Sequence, residues 1–280
     1  MPMDTGFPES DARDDFTRAR RRQVLARLAA RLRGQPSDVD VILPFDEVVA
    51  ALGRVGERSV GLETIELDTI VGTVDRDRDF DRRFRPTSTR ARSRFEQIAA
   101  AERRGAAMPP IDVYRVGAVH FVRDGHHRVA VARARRRRTI EARITEIVTR
   151  SGAGLDLRAA DLPVKSHERL LWERVPLPQE ARARLGVRDA VDFGLLAEGV
   201  EAWGFRLMQA DGAFYDRGTV AARWFAEEYV PVVSMLREAG LIGDQHQESE
   251  AYLRLAADRY RLMRTHAWDA GVIEALRRRR

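Results

Sequence analysis

The chain has 280 residues, 44% of them hydrophobic, and carries 49 Lys and Arg against 43 Asp and Glu, a net charge of +6. It contains no cysteine, which excludes disulfides, thiolate metal sites and cysteine nucleophiles, and no run reaches the roughly 18–20 apolar residues that a membrane-spanning helix needs. A basic balance is the footprint of a nucleic-acid binder, but Lys165 is the only lysine, so the excess reflects arginine-rich residue usage as much as a partner.

The length suggests two domains. Residues 1–15, MPMDTGFPESDARDD, are acidic and polar. They read as a disordered leader and not as a signal peptide, which points to the cytoplasm. Residues 16–33 place Val24, Leu25, Leu28 and Leu32 at helical spacing opposite a basic face. The stripe predicts a surface helix docked on the core by its leucines, or a basic arm that touches membrane or nucleic acid. A second short helix is expected over Phe45–Leu52, completing an N-terminal helical region of residues 16–60.

From 61 the pattern changes. Leu62, Ile65, Leu67 and Ile70 give a strand that ends at Gly72-Thr73. The charged stretch 75–92 reads as a loop that only Phe80 and Phe84 can anchor. A helix follows over 94–104, with Phe95, Ile98 and Ala99 inward and Gly105 as its stop. IDVYRV (111–116) and VHFV (119–122) flank Gly117-Ala118 as a hairpin. A small-residue helix over 129–134 and an alternating strand over 139–147 close the pattern. Residues 149–165, with Ser151-Gly152-Ala153-Gly154, read as a linker.

Helical patterns fill the remainder, at 166–175, 191–210, 218–240 and 248–268, with Pro231 expected to kink or break the third. The aromatics of this half fall at helical spacing and suit core packing. The fold class is therefore α+β: a mixed-sheet domain, residues 61–148, followed by an α-helical domain, residues 166–280. The helical half is expected to bind a protein partner or a second copy of the chain.

The chemistry concentrates at the Asp124-Gly125-His126-His127-Arg128 turn, between a strand and a helix. Glycine permits a tight turn and close approach of a ligand. The first free N–H groups of the helix fall at His126, His127 and Arg128, where a helix terminus favours an anion. Arg128 adds a forked, permanently charged phosphate partner. The alternative is that Asp124 merely caps the helix and the histidines are solvated or packed. Adjacent residues on a helix point about 100° apart, so His126 and His127 are not expected to share a metal ion. The arginine run at 133–138 suits the negative end of the helix dipole, or a nucleic-acid backbone.

The stretch PPIDVYRVGAVHFVRDGHHRVAVARARRRRTIEARITEI, with IELDTIVGTVDR and SRFEQIAAAERRG upstream, resembles the ParB/sulfiredoxin-like fold over residues 61–148. The likeness lies in the order of hairpin, Gly-x-x-Arg turn, small-residue helix and closing strand. Sulfiredoxins carry Gly-Cys-His-Arg at the turn; the absence of cysteine excludes that activity. ParB partition proteins carry Gly-Glu-Arg-Arg, of which only Gly125 and Arg128 match, and their second phosphate motif and helix-turn-helix are not found downstream. Kinases of this fold with Asp-Gly-His-like turns are the nearest match to Asp124–Arg128.

The resemblance implies a nucleoside triphosphate, CTP or ATP, bound with Mg²⁺ and hydrolysed or used in phosphotransfer. Gly125, His126, His127 and Arg128 would cradle the phosphates. Asp124 would hold Mg²⁺ or orient a histidine, and Asp124 and His126 are the candidate catalytic residues. Arg85 and Arg90 would close over a phosphate, and the candidate bases are Glu66, Asp75, Asp77 and Asp79. The alternative function is a non-enzymatic DNA-binding or chromosome-partition accessory protein that contacts DNA non-specifically.

Overall fold

The computed structural model describes residues 5–34, 41–75, 78–185, 187, 189–242 and 248–278. The chain is mixed α/β and divides into two compact units, Met1–Lys165 and Ser166–Arg280.

The first unit opens with helix α1, Pro8–Leu32. Residues 8–15 were expected to be a disordered leader, and they are instead the first two turns of this helix. The reason is chemical: Asp11 and Asp15 are buried against Arg103 from helix α3 (Arg92–Arg103). Arg103 Nη2 lies 2.6 Å from Asp15 Oδ2, and its Nε 3.7 Å from Asp11 Oδ2. Asp11 also accepts hydrogen bonds from the Thr5 N–H, at 3.0 Å, and hydroxyl, at 2.7 Å. The acids that looked like leader composition are internal ion-pair partners. The same docking corrects the expected leucine seam. Val24, Leu25, Leu28 and Leu32 are all exposed, and α1 buries Ala12, Phe16 and Ala19 instead, with Phe16 edge-on to Phe95 at 5.5 Å.

Helix α2 spans Phe45–Leu52, as its apolar spacing predicts. The region expected to be helical to residue 60 ends at Gly53, whose φ of 73° turns the chain. Strand β2 then runs Arg54–Glu66. The single strand expected over 61–74 is two: a 3₁₀ turn at Leu67–Thr69 separates β2 from β3, Ile70–Thr73. With β1 (Leu43–Pro44), β4 (Ile111–Val116), β5 (Val119–Asp124) and β6 (Thr139–Thr149), these make a six-stranded mixed sheet ordered β1-β3-β5-β4-β6-β2. The β4–β5 pair is the antiparallel hairpin predicted around Gly117. β3 and β5 are parallel neighbours, so their carboxyl ends share one edge of the sheet.

The sheet is covered on both faces. Helices α1, α3 and α4 (His126–Ala134) share one apolar cluster, which includes Phe80, Phe84, Ile111, Val113 and Val122. A second cluster gathers α2 residues with Val119, Phe121 and Ile147. Consecutive β5 residues Phe121 and Val122 divide between the two clusters, as side-chain alternation along a strand requires. Residues 149–165 are not a free linker: Ala153, Leu157 and Leu162 are buried in the second cluster.

The second unit is helical. It contains α5 (Leu162–Arg174, which starts in the first unit), α6 (Gln179–Arg184), α7 (Ala190–Asp211), α8 (Arg217–Trp224), α9 (Val230–Glu238), α10 (Glu248–Met263) and α11 (Ala270–Arg277). Pro231 was expected to kink or break the helix over 218–240. The α-helix is interrupted just before it: α8 and α9 are joined by a five-residue π segment, Phe225–Tyr229, and Pro231 sits in the first turn of α9. The wider π turn accommodates a residue that has no N–H to donate. Among the described residues no helix is long and apolar enough to cross a membrane.

Candidate functional site

The turn after β5 has the predicted backbone. Gly125 adopts φ 99° and ψ 17° as the N-cap of α4, a left-handed conformation that favours glycine. A Cβ at this position would stand 2.4 Å from the Ile111 side chain and 3.0 Å from Arg128 Nε. Ile111 is fully buried, so the residue is fixed by space as well as by φ. Val129 N–H closes the first helical bond to the Gly125 carbonyl at 3.0 Å.

The side chains of the turn are largely committed to the protein. Arg128 Nη1 donates to the carbonyls of Pro109 and Pro110, each at 2.7 Å, and Nη2 pairs with Asp124. Asp124 itself is 69% exposed in its side chain. Arg128 therefore buckles the strand end to the segment that leads into β4. His126 is buried. Its Nε2 shares a hydrogen bond of 2.7 Å with the Thr73 hydroxyl, and its ring lies nearly parallel to Phe80 and Phe84, with centroids 6.5 and 6.3 Å away. His127 meets Phe80 edge-on at 5.3 Å. Instead of forming a phosphate cradle, the two imidazoles pack against the aromatic anchors of the 75–92 loop.

The other candidates are not brought to the turn. Arg85 is tied to Asp81, with Nε 2.7 Å from Oδ2, and lines a cleft at the far end of α4. Arg90 is exposed, and its N–H donates to Ser88 Oγ at 3.3 Å. It belongs to a separate hollow with Glu9, Arg13 and Glu96. Of the candidate bases, Glu66 lies at the mouth of the Arg85 cleft, Asp75 is exposed and Asp79 half-buried. Asp77 lies outside the described residues.

Among the described residues no cluster of three His, Asp or Glu side chains could hold a metal ion. The carboxylates at the turn are Asp124 and, opposite it on β4, Asp112, so a Mg²⁺ ion here would take its remaining ligands from phosphate oxygens and water, as Mg²⁺ at phosphate sites commonly does.

Two groupings escaped the sequence. The first is the loop built on buried Asp81. Its Oδ1 accepts the N–H groups of Arg83 (3.0 Å) and Arg85 (2.9 Å), and Phe84 N–H donates to its carbonyl at 2.7 Å. Burial raises the Asp81 carboxyl above its ordinary value, against the opposing pull of Arg85. The signal was the alternation of Asp and Arg around two phenylalanines, which in sequence is indistinguishable from a solvated charged loop. The second is the π segment, where Glu228 accepts Trp268 Nε1–H at 3.1 Å and sits 3.7 Å from the buried Arg259. Helical periodicity carries no mark of a π turn. Comparison with protein-family models, with curated proteins and with solved structures finds no match for this chain.

Proposed function

We propose that the first unit is a nucleotide-binding domain of the ParB/sulfiredoxin kind, which takes a nucleoside triphosphate, CTP or ATP, with Mg²⁺ at the Asp124–Arg128 turn. The observation that carries the reading is the left-handed Gly125 between β5 and α4, at the carboxyl edge shared by the parallel strands β3 and β5. That edge of an α/β sheet is where ligands characteristically bind, and the turn brings a backbone that only glycine fits to a helix N-terminus.

The internal pairs define what binding must do. Asp124 is exposed and Arg128 largely buried, with side-chain exposures of 69% and 13%. Mg²⁺ at Asp124 would replace Arg128 Nη2 as its partner, and the freed end of the guanidinium would turn to a phosphate. Nη1 would stay on the Pro109 and Pro110 carbonyls. Thr73 holds the His126 ring, so His126 is a positioning residue in this reading. Hydrolysis or phosphotransfer would then rest on charge stabilisation by Asp124-bound Mg²⁺, Arg128 and the helix terminus. In this reading the protein works in the cytoplasm, alongside the nucleoside triphosphate pool.

Thermal melting with CTP, ATP and ADP, each with and without Mg²⁺, tests the reading. The expected result is a Mg²⁺-dependent rise in Tm with a triphosphate, lost in Asp124→Asn. A flat response to every nucleotide removes the proposal.

The second reading, a DNA-binding accessory protein without catalysis, draws on the net charge of +6 and the arginine run at 133–138. Binding to a random duplex that falls steeply with salt is its signature.

A further inference from the structure

At the opposite end of α4 from the glycine turn lies a cleft of about 710 Å³, enclosed entirely within the first unit. Its rim carries Arg22, Arg82, Arg83, Arg133, Arg137 and Arg138, together with the Asp81-bound Arg85, against two exposed acids, Glu66 and Asp68. Its apolar surface comes from Ala134 and the exposed Leu155, with Ile70, Phe84 and Ala130 buried behind them.

The arginines differ in how they are satisfied. Arg137 is bound to Glu102 at 3.2 Å. Arg133 donates to main-chain carbonyls, Nη2 to Leu67 and to Ile70 (2.9 Å) and Nη1 to Arg82 (3.3 Å), and its guanidinium lies over the Phe84 ring, 5.6 Å from the centroid. Its Nε is buried without a hydrogen-bond partner among the described residues. Burial, opposed by the distant Asp68 and Asp81, pulls this guanidinium down to about 10. A cation so desolvated, with no carboxylate in contact, is stabilised by an anion bound within the cleft. Arg22, Arg83 and Arg138 are exposed, and no hydrogen-bond or ion-pair partner of their side chains is found among the described residues.

A second observation is independent of charge. Three non-glycine residues among those described have positive φ, and one of them, Phe84 (φ 53°), lies at this cleft. A bulky residue held in the left-handed region is strained, and such strain gathers at functional sites. At Phe84 the strain is held by Asp81, and the result is that the Phe84 ring is buried in the core beneath the cleft while Arg82, Arg83 and Arg85 line it.

We propose that this cleft binds a small organic polyphosphate, with its phosphate chain on the arginine rim and its uncharged body against Ala134 and Leu155. The dimensions and the apolar wall favour a small molecule over a duplex, whose backbone needs an open basic face and no apolar floor. The site is separate from the glycine turn and stands whether or not the turn binds a nucleotide.

Titration calorimetry on the full chain, with inorganic tripolyphosphate and with ATP, both without Mg²⁺, tests the proposal. The expected result is saturable binding of both, tighter for ATP if its body meets the wall. The double variant Arg83→Ala/Arg138→Ala, which removes two exposed side chains without partners, should weaken both by about tenfold or more per lost charged contact. Arg94→Ala, which removes an exposed arginine outside both the cleft and the turn, should leave them unchanged. Failure of the wild type to bind either probe overturns the inference. So does binding that the double variant leaves intact, a result that would take the phosphates away from the arginine rim. Random duplex DNA that displaces tripolyphosphate and outbinds it also overturns the inference. A Mg²⁺-dependent triphosphate response lost only in Asp124→Asn bears on the turn alone.

Discussion

The two ends of helix α4 make opposite use of arginine. At the amino end, Arg128 is buckled to two proline carbonyls and to Asp124. At the carboxyl end, Arg133 donates to main-chain carbonyls, and Arg83 and Arg138 stand without partners among the described residues. A motif shows where a cation is, but the surrounding acceptors decide whether its charge is available. The familiar-looking turn spends most of its charge internally, while the run RARRRR, which reads as dipole compensation, borders the unmatched cleft.

The sharpest way to separate the two ends is through α1, which contributes Ala19 and Arg22 to the cleft and nothing to the turn. α1 is held by Arg103 between Asp11 and Asp15. Replacing one partner of a buried pair leaves uncompensated charge and costs about 3–5 kcal/mol. Arg103→Ala should therefore lower stability by that order in urea unfolding, and protease nicking should begin within α1. The double replacement Asp11→Asn/Asp15→Asn with Arg103→Met should recover part of the loss.

The next largest effect is shared by both ends. His120, buried in the middle of β5, shares a 2.8 Å hydrogen bond with Thr69, just before the cleft-lining Ile70. Burial, with a lesser push from Arg115, lowers its pKa from 6.5 to about 4. Between those values the unfolded chain binds more protons than the folded one. The stability is thus fully present above pH 6.5 and is lost as pH falls towards 4, to an extent of about 3 kcal/mol. Urea midpoints across this range should slope more steeply for the wild type than for His120→Leu. Equal slopes would show that His120 is not the titrating group.

Gly125→Ala acts on the turn alone. The left-handed φ costs alanine about 1–3 kcal/mol, and the new methyl group meets Ile111 at 2.4 Å. A loss of about 2 kcal/mol in stability is expected, with tripolyphosphate binding at the cleft retained.

Much of this framework is legible in the sequence wherever the signal is periodic or a glycine marks a turn. The α2 helix, the β4–β5 hairpin and the helix after Gly125 follow from apolar spacing and turn residues. What escaped reading depends on partners distant in the chain. Asp11 and Asp15 look like leader composition until Arg103 faces them. Leu28 and Leu32 look like a docking seam, yet the ion pairs and Phe16 turn the helix the other way. Asp81 looks like one more charge in a polar loop, and it is the hub on which that loop closes. The candidate site was legible as a backbone shape but not as a charge distribution, because sequence gives the position of Arg128 and not the carbonyls of Pro109 and Pro110 that occupy it.

The smallest effect on stability is the most discriminating for the turn. Asp124 pairs with Arg128, and its side chain is 69% exposed. An ion pair with one member in solvent contributes about 0–1 kcal/mol, and Arg128 keeps its two carbonyl acceptors when the carboxylate is gone. Asp124→Asn should therefore melt within a degree or two of the wild type, by the usual scaling of Tm with stability. If the turn binds Mg²⁺ with a triphosphate, the same change removes the exposed carboxylate assigned to the metal, and ligand-induced stabilisation should vanish while the fold persists. A variant that melts like the wild type and still responds fully to Mg²⁺-triphosphate would leave Asp124 as a plain surface partner of Arg128. The phosphate chemistry of the first unit would then belong to the far end of α4.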